Sequence, residues 1–284
     1  MVDSQKVLLA VLAHPDDESF GMGGTLAYYA QQGVAVYLVC ATRGEVGDVA
    51  PEFLEGFHSI AELRESELRC AAASLGLAGV IFLDYRDSGM PGSPDNGHPD
   101  ALAAAPLDEV AAKVAQQIRQ LKPQIVLTFD PIGGYKHPDH IAIHKATKRA
   151  FMLAADPDFV DGLPPFRAHK LYYHVIPKGF LRLLVSVLRL FGWDPQHFGR
   201  NRDIDVLALI EEGDFPVHAE MDIRSVRKEK EAAGDCHASQ QGGMPRRGQV
   251  GQLSHWMDRK ELFMRAEPDG MRGRREKNLF AGIE

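Results

Sequence analysis

The sequence predicts an α/β protein, a Rossmann-like three-layer sandwich with a mainly parallel sheet. Three observations support this fold class. Short apolar runs alternate with helix-like stretches, the runs are rich in Val, Ile and Leu, and polar side chains cluster directly after them. Strands that are covered on both faces have this continuously apolar composition. Alternation of such strands with helices produces a parallel sheet with right-handed crossovers.

The apolar runs give the predicted strands in chain order. They are KVLLAVLA (6–13), VAVYLVCA (34–41), GVIFLDY (79–85), QIVLTFD (124–130) and HKLYYHVI (169–176). Helices are predicted between the first four runs, at 22–32, 58–75 and 107–121. In the second helix apolar side chains form one stripe at helical spacing, and Gly76 follows as a stop signal. A Pro- and Gly-rich loop is predicted at 156–168, and a further strand with a charged helix at 203–235.

The composition is that of an ordinary soluble globular protein, with 284 residues, 45% hydrophobic and 25% charged. We expect one domain, 1–284, in which 156–235 has the least regular pattern. The net charge of −7 provides no basic field, so no nucleic-acid partner is expected. Cys40, Cys70 and Cys236 are widely spaced without a CxxC pair, which argues against a disulfide framework and for a reducing, cytoplasmic location.

Two apolar stretches are candidates for membrane segments, and neither fits. The N-terminal one has only about eight apolar residues, whereas a secretory signal needs a longer apolar region and a small-residue cleavage site. Residues 179–193 contain Arg182 and Arg189 and are shorter than the roughly 20 apolar residues of a membrane span. We therefore expect no transmembrane segment. The stretch 179–193 fits a core helix, a lid, a subunit interface or a helix that contacts a membrane surface. We expect the protein to be a homo-oligomer.

Polar side chains follow four of the predicted strands. The segments are 14–18, 42–48, 85–87 and 130–140. Parallel sheets bind their ligands at the carboxyl ends of the strands, so these segments are expected to converge on one edge.

The segment AHPDDE at 13–18 places His14 beside Asp16, Asp17 and Glu18. Burying carboxylates this close together is costly unless a cation compensates. Histidine with carboxylate is a ligand set that zinc accepts, and a catalytic zinc site keeps about three protein ligands with one position left for water.

The segment HPDH at 137–140 supplies the second half of a metal site. Pro138 and Asp139 suit the first turn of a helix, which places His140 near that helix start and facing His14. Glycines at 133–134 allow the loop to approach closely. His144 follows His140 at i+4, so it is either a further ligand or a satisfied, partly buried histidine one turn inward.

These two segments resemble the paired signatures of the LmbE-like, or PIG-L, deacetylases. Further matching segments are TRGEVGD (42–48), RESELRCAAASLG (64–76), YRDSGM (85–90) and HASQ (237–240). That family includes N-acetylglucosaminyl-phosphatidylinositol deacetylase and the deacetylases and amidases of mycothiol and bacillithiol metabolism. The matching segments cover most of 6–155 and a short C-terminal piece.

The resemblance implies a role for each matching residue. The implied metal ligands are His14, Asp17 and His140. Asp16 would be the general base that takes a proton from the attacking water. His137 would stabilise the oxyanion or protonate the leaving amine, with Asp139 orienting it.

The resemblance also implies substrate contacts. Tyr135 matches a position that helps to polarise the substrate carbonyl, and Arg64 and Asp87 match positions that contact sugar hydroxyls. This chain has Lys136 where a glycine is common in the family.

The leading hypothesis is a zinc-dependent hydrolase that removes an acyl group, in particular acetyl, from the nitrogen of an amino sugar or its conjugate. An amidase that cleaves a larger amide, such as a mycothiol-type thiol conjugate, is the alternative. A phosphohydrolase would use Asp16 and Asp17 for magnesium, but the histidines disfavour it because magnesium prefers oxygen ligands. A non-enzymatic metal- or sugar-binding module would not need Asp16. Ferrous iron also accepts two histidines and one carboxylate.

Overall fold

A mixed sheet forms the centre of the computed structural model, which describes residues 5–197, 205–212, 214–240, 259–270, 273 and 275–283. Within these residues the sheet has seven strands in the order β3-β2-β1-β4-β5-β7-β6. The strands are β1 (Val7–Leu12), β2 (Ala35–Thr42), β3 (Gly79–Tyr85), β4 (Ile125–Phe129), β5 (Lys170–His174), β6 (Ala219–Asp222) and β7 (Lys260–Glu267). β1 to β5 are parallel to one another, and β7 runs antiparallel to both β5 and β6. The predicted mainly parallel sheet is confirmed.

Helices cover the sheet. They are α1 (Gly23–Gln31), α2 (Ile60–Leu75), α3 (Leu107–Leu121), α4 (Gly133–Lys136), α5 (Pro138–Leu153), α6 (Lys178–Leu190), α7 (Val206–Glu211) and α8 (Arg227–Cys236). α3 packs on α5, while α1 and α2 pack on α8. These two groups form the outer layers of the predicted three-layer sandwich.

The sequence signals for α2 are visible in its caps. The Ser59 side chain accepts a hydrogen bond from the backbone N–H of Glu62, which satisfies one of the free donors at the helix start. Gly76 has a φ of +72° and ends the helix in the left-handed conformation that favours glycine. The predicted stop at Gly76 is therefore confirmed.

The position of β1 determines where ligands can bind. β1 lies between β2 and β4, so the chain leaves it toward one side of the sheet and returns on the other. This reversal opens a crevice at the carboxyl ends of β1 and β4. The core strands on either side are almost completely buried, which holds the two strand ends in fixed positions.

The second half of the chain contains the elements that were hardest to predict. The loop at 156–168 contains no helix or strand, and the strand and charged helix expected in 203–235 are β6 and α8. Residues 203–204 and 213 of that range lie outside the described residues. β7 was not predicted. Its alternation of buried and half-buried residues is typical of an antiparallel strand rather than of the continuous apolar runs used for β1 to β5.

The stretch 179–193 contains α6. One face of α6 packs against α7 in a small apolar cluster, and Tyr135 lies against the same cluster. At the end of the helix, Leu190 is 81% exposed. None of the helices in the described ranges is long and apolar enough to span a bilayer. A role of this stretch as a lid, an interface or a membrane-surface helix stays a prediction.

The cysteines differ from the expectation. Cys70 of α2 and Cys236 at the end of α8 form a disulfide with a Cα–Cα distance of 5.7 Å. The prediction of no disulfide is wrong because the pairing depends on the side-by-side packing of α2 and α8, and 166 residues separate the two positions. Cys40 is free and buried in the sheet.

Candidate metal centre

His14 and Asp17 lie in the tight turn that follows β1. The backbone N–H of His14 donates to Oδ2 of Asp17 at 2.7 Å, so the carboxylate folds back over the end of the strand. Asp16, between them, has a φ of +114°, which is unusual for a residue with a side chain. The turn thus points neighbouring carboxylates in different directions, and strained backbone of this kind is common at functional sites.

His140 comes from the start of α5, at the end of β4. His137 caps this helix, because its Nδ1 accepts a hydrogen bond from the backbone N–H of Asp139 at 3.2 Å. A Cβ on Gly133 would lie 2.8 Å from Cβ of His140, so only glycine allows the loop to pass this close. The predicted helix start and the predicted close approach are both confirmed.

The crevice brings the three predicted ligands together. Nε2 of His140 lies 3.2 Å from Nδ1 of His14 and 3.2 Å from Oδ1 of Asp17. Nδ1 of His14 lies 3.5 Å from Oδ2 of Asp17. All three side chains are buried.

Hydrogen bonds on the far side of each ring determine which nitrogen faces the crevice without a proton. Nδ1 of His140 lies 3.2 Å from the carbonyl oxygen of Gly133, which can only accept, so the neutral ring keeps a bare Nε2. Nε2 of His14 lies 3.0 Å from Oδ2 of Asp139, so the neutral form of this ring has its proton on Nε2 and a bare Nδ1. Carboxylates and carbonyls hold metal-binding histidines in this manner. The donor set therefore fits a divalent metal.

The charges around His14 also favour a cation. Burial lowers the pKa of His14, but the carboxylates of Asp87, Asp139 and Asp17 outweigh burial and raise it well above 6.5. Negative charge concentrated on a buried site is compensated by a proton or by a metal ion. His137 also lies close, because one ring nitrogen from each of His14, His137 and His140 falls within 4.8 Å of the others.

Asp139 contacts His14 rather than His137 through its carboxylate. Its side chain is fully buried, accepts a hydrogen bond from the backbone N–H of Ser88 at 2.9 Å and is also bonded by the Ser88 hydroxyl. Its contact with His137 is made by its backbone N–H. The expected role of Asp139 in orienting His137 therefore has a backbone basis, and the carboxylate instead orients a predicted metal ligand.

The neighbouring carboxylates of the turn have opposite pKa shifts. Burial raises the pKa of Asp16 to about 6, against the opposing charge of Arg64. Burial also acts to raise the pKa of Asp17, but His140 and His14 outweigh it and hold that pKa well below its usual value. Asp17 is thus set to stay ionised as a ligand, and Asp16 is set to exchange a proton near neutral pH.

His137 is neutral in these surroundings. Burial and the nearby charge of His14 lower its pKa to about 2. Because its Nδ1 accepts from the backbone of Asp139, the neutral ring has its proton on Nε2. A neutral histidine of this tautomer can donate a hydrogen bond to a developing oxyanion.

The remaining predicted residues border the crevice. The ring of Tyr135 lies 4.9 Å from that of His140. Asp87 is buried with Oδ1 3.5 Å from Nε2 of His14, and Arg64 is buried with Nη2 3.0 Å from Oδ2 of Asp16. Contacts of Arg64 and Asp87 with sugar hydroxyls stay predictions. His144 is buried one turn along α5 with Nδ1 2.8 Å from the carbonyl oxygen of Phe129, which supports the satisfied-histidine alternative.

Three side chains of the site were not assigned a role from the sequence. Ser88 holds Asp139, and Glu18 pairs with His237 directly behind Asp16. The available signals were the segments YRDSGM and HASQ, which contain Ser88 and His237, but neither segment reveals its partner without the fold.

The sequence of this chain matches known proteins over most of its length. The family described as GlcNAc-PI de-N-acetylase, PIG-L, matches residues 9–151. The 1D-myo-inositol 2-acetamido-2-deoxy-alpha-D-glucopyranoside deacetylase of Thermomonospora curvata is 40% identical over 250 residues, which cover 84% of this chain and 82% of the relative.

Solved structures share the fold. N,N'-diacetylchitobiose deacetylase from Pyrococcus horikoshii matches with a TM-score of 0.62 and 21% identity over 92% of this chain and 84% of that chain. The 4-carboxy-2-hydroxymuconate hydratase GalB from Pseudomonas putida matches with a TM-score of 0.60 and 20% identity over 95% of this chain and 100% of that chain. At such identity these structures establish the fold alone. The sequence matches establish more, and this chain belongs to the GlcNAc-PI de-N-acetylase, or PIG-L, family.

Proposed function

We propose that the chain is a metal-dependent hydrolase that removes the acetyl group from the nitrogen of an amino-sugar conjugate, with 1D-myo-inositol 2-acetamido-2-deoxy-α-D-glucopyranoside as its substrate. The relative from Thermomonospora curvata is named for deacetylation of this compound. The observation that best supports the proposal is the difference between the two neighbouring carboxyl groups in the turn after β1. Asp17 has a depressed pKa next to two histidines, while its neighbour Asp16 has a raised one.

His14, Asp17 and His140 would hold the metal. Zinc is the metal we propose, and ferrous iron accepts the same donors. When bound, the metal polarises the amide carbonyl and acidifies a water molecule.

Asp16 and His137 would act on the reacting atoms. With a pKa of about 6, Asp16 is ionised at neutral pH and can take a proton from the attacking water. The Nε2–H of neutral His137 stabilises negative charge on the carbonyl oxygen. The proton on Asp16 then passes to the departing nitrogen as the C–N bond breaks, so that the amide and water give free amine and acetic acid, which ionises to acetate in water.

Removal of either group tests these roles. We expect Asp16→Asn and His137→Ala to lower kcat by about a hundredfold or more, the usual contribution of general acid–base and oxyanion groups. The assay measures free amine from the inositol amino sugar and from a larger thiol-conjugate amide, with zinc- and iron-loaded enzyme.

His218→Ala is the matched control, since His218 precedes the edge strand β6, which β5 and β7 separate from β4, and the substitution should leave kcat unchanged. Metal content is measured for every variant. Near-normal turnover in a metal-loaded Asp16→Asn or His137→Ala variant would remove that residue from the mechanism. Absence of amine release from both substrates by metal-loaded wild type would reject the proposed function.

We further propose that 1–284 is a single domain and that the enzyme is a homo-oligomer. The cytoplasmic location stays a prediction, because the Cys70–Cys236 disulfide removes the cysteine argument for it. Limited proteolysis and light scattering test the first two points: a stable fragment or a monomer would contradict them.

A further inference from the structure

Behind the candidate base lies a buried pair that the proposed chemistry does not use. Glu18 follows the metal-binding turn, and His237 lies just after α8, 219 residues away. Both side chains are 0% exposed, and Nε2 of His237 lies 2.7 Å from Oε1 of Glu18. Burying an acid and a histidine without access to water is costly unless they bond each other.

The carboxylate of Glu18 connects this pair to the backbone of Asp16. Its Oε2 accepts a hydrogen bond from the backbone N–H of Asp16 at 3.0 Å. Its Oε1 accepts from the Ser19 hydroxyl at 2.6 Å and faces Nε2 of His237. A carboxylate with these partners is an acceptor on both oxygens, so Nε2 of His237 is the donor. Rotation of the carboxylate is therefore restricted.

Asp16 needs such support because of its backbone. A φ of +114° disfavours a residue with a side chain, and it persists only where surrounding contacts hold it. The carbonyl oxygen of Asp16 accepts from the backbone N–H groups of Ser19 and Phe20, each at 3.0 Å, and its N–H is held by Glu18. Without the Glu18 contact, the backbone N–H of Asp16 would lose the acceptor that holds it.

The segment that contains His237 is itself fixed. Ser239 donates to Glu67 of α2 through its backbone N–H and its hydroxyl, both at 2.7 Å. Nδ1 of His237 is buried and has no hydrogen-bond partner among the described residues. The bond to Glu18 is thus the polar contact that this buried ring makes in the described part of the chain.

We propose that His237 is a positioning residue that acts through Glu18 to hold Asp16 in the orientation required of the general base. The inference rests on the proposed function for the role of Asp16. The His237 ring contacts Glu18 and Phe20 rather than the proposed metal ligands, so its effect reaches the reaction through the Glu18 carboxylate.

The first test compares kcat, KM and metal content. His237→Leu removes the donor at similar volume, and we expect kcat to fall about 10- to 100-fold, the loss that a displacement of a catalytic group by about 1 Å causes. KM and metal content should stay within about twofold, because the ligands are untouched. His237→Gln keeps an N–H donor and should recover most of the loss. His218→Leu, which removes a half-buried histidine remote from the site, should retain wild-type kcat.

A second test separates positioning from a general loss of structure. In an Asp16→Asn background, His237→Leu should lower the residual kcat by less than about twofold, since the group that it positions is already gone. A purely structural role would reduce kcat by the same factor in both backgrounds and would overturn the inference.

Hydrogen exchange at the Asp16 amide provides a readout that does not depend on turnover. We expect His237→Leu to speed this exchange about tenfold, the effect of losing one net hydrogen bond, and His237→Gln and His218→Leu to leave it unchanged. Unchanged Asp16 exchange and wild-type kcat in His237→Leu would overturn the inference. If wild type released no amine, the proposed function would fail. The exchange measurement would still show whether His237 holds the backbone N–H of Asp16 through Glu18.

Discussion

Gly44 touches the arginine that supports Asp16, and Gly44→Ala should disrupt this support. Gly44 has a φ of +68°, and a Cβ there would overlap Nη1 and Cζ of Arg64 and lie 2.9 Å from its Nε. The guanidinium is buried and donates to the carbonyl oxygens of Gly44 at 3.1 Å and Pro15 at 2.5 Å, and to Asp16 at 3.0 Å. Arg64 must therefore move away from these acceptors to admit a methyl group.

The size of the effect can be estimated from two contributions. A left-handed alanine costs about 1–2 kcal/mol relative to glycine. Displacing Arg64 leaves buried polar groups without their partner, and loss of one member of a buried ion pair costs about 3–5 kcal/mol. Gly33→Ala is the matched control, because Gly33 has a φ of +79° and a Cβ added there would have no atom within 4 Å. It should show the conformational cost alone.

Urea unfolding and kcat measure the two consequences. We expect the free energy of unfolding to fall by at least about 2 kcal/mol more in Gly44→Ala than in Gly33→Ala, given the partners that Arg64 loses. We also expect kcat to fall about tenfold or more in Gly44→Ala alone, because Asp16 loses its neighbour. Equal destabilisation by the two variants, or wild-type kcat in Gly44→Ala, would refute the proposed link between Gly44, Arg64 and Asp16.

Three further predictions concern the cross-link, a buried arginine and the metal. Cys70→Ser should lower the free energy of unfolding by about 2–4 kcal/mol in urea, and dithiothreitol should destabilise wild type but not this variant. Arg119→Met removes a buried guanidinium that pairs with Asp161 and donates to the carbonyl oxygens of Ala154 and Phe159, so the free energy of unfolding should fall by about 1–3 kcal/mol with kcat unchanged; loss of activity in the folded variant would contradict this. Chelation should abolish amine release and zinc should restore it. Asp17→Asn should need at least about 100-fold more zinc for half-maximal activity, because loss of an outer-shell partner alone costs about 10- to 100-fold.

The first five strands and their ends could be predicted because the signals are local. Each of these strands is a continuous apolar run followed by polar residues, and its direction follows from the helix that precedes the next run. The ligands His14, Asp17 and His140 could be placed in one crevice for the same reason. Strand ends in a parallel sheet converge whatever the loops contain.

The features that were missed depend on contacts between distant parts of the chain. The Cys70–Cys236 disulfide depends on the packing of α8 against α2. The Glu18–His237 pair depends on the end of α8 lying beside the turn after β1. No local pattern encodes that packing. β7 was not predicted because it pairs with β5, at the edge of the parallel strands, and with the short strand β6, and both partners are distant in sequence.

Lys136 shows how a departure from a family pattern can be understood from the backbone. Its φ is +69°, a left-handed conformation that favours glycine, the residue that the family resemblance implies at this position. The side chain forms an ion pair with Glu212 at 2.7 Å, close to the end of α7. The residue that looked anomalous in sequence thus connects the loop of Tyr135 to the small α6–α7 cluster.

The turn after β1 gives successive residues separate tasks because its backbone is irregular. In a regular strand, Asp16 and Asp17 would point to opposite faces, and in a helix their side chains would point about 100° apart. The φ of +114° at Asp16 instead sends Asp17 to the histidines and Asp16 to Arg64, with Glu18 turned back to hold the peptide between them. The histidines lower one pKa, while burial raises the other in spite of Arg64. Environments that separate the pKa values of two adjacent carboxyl groups are how one site obtains both a ligand and a base. The strained turn is therefore the structural origin of the proposed chemistry.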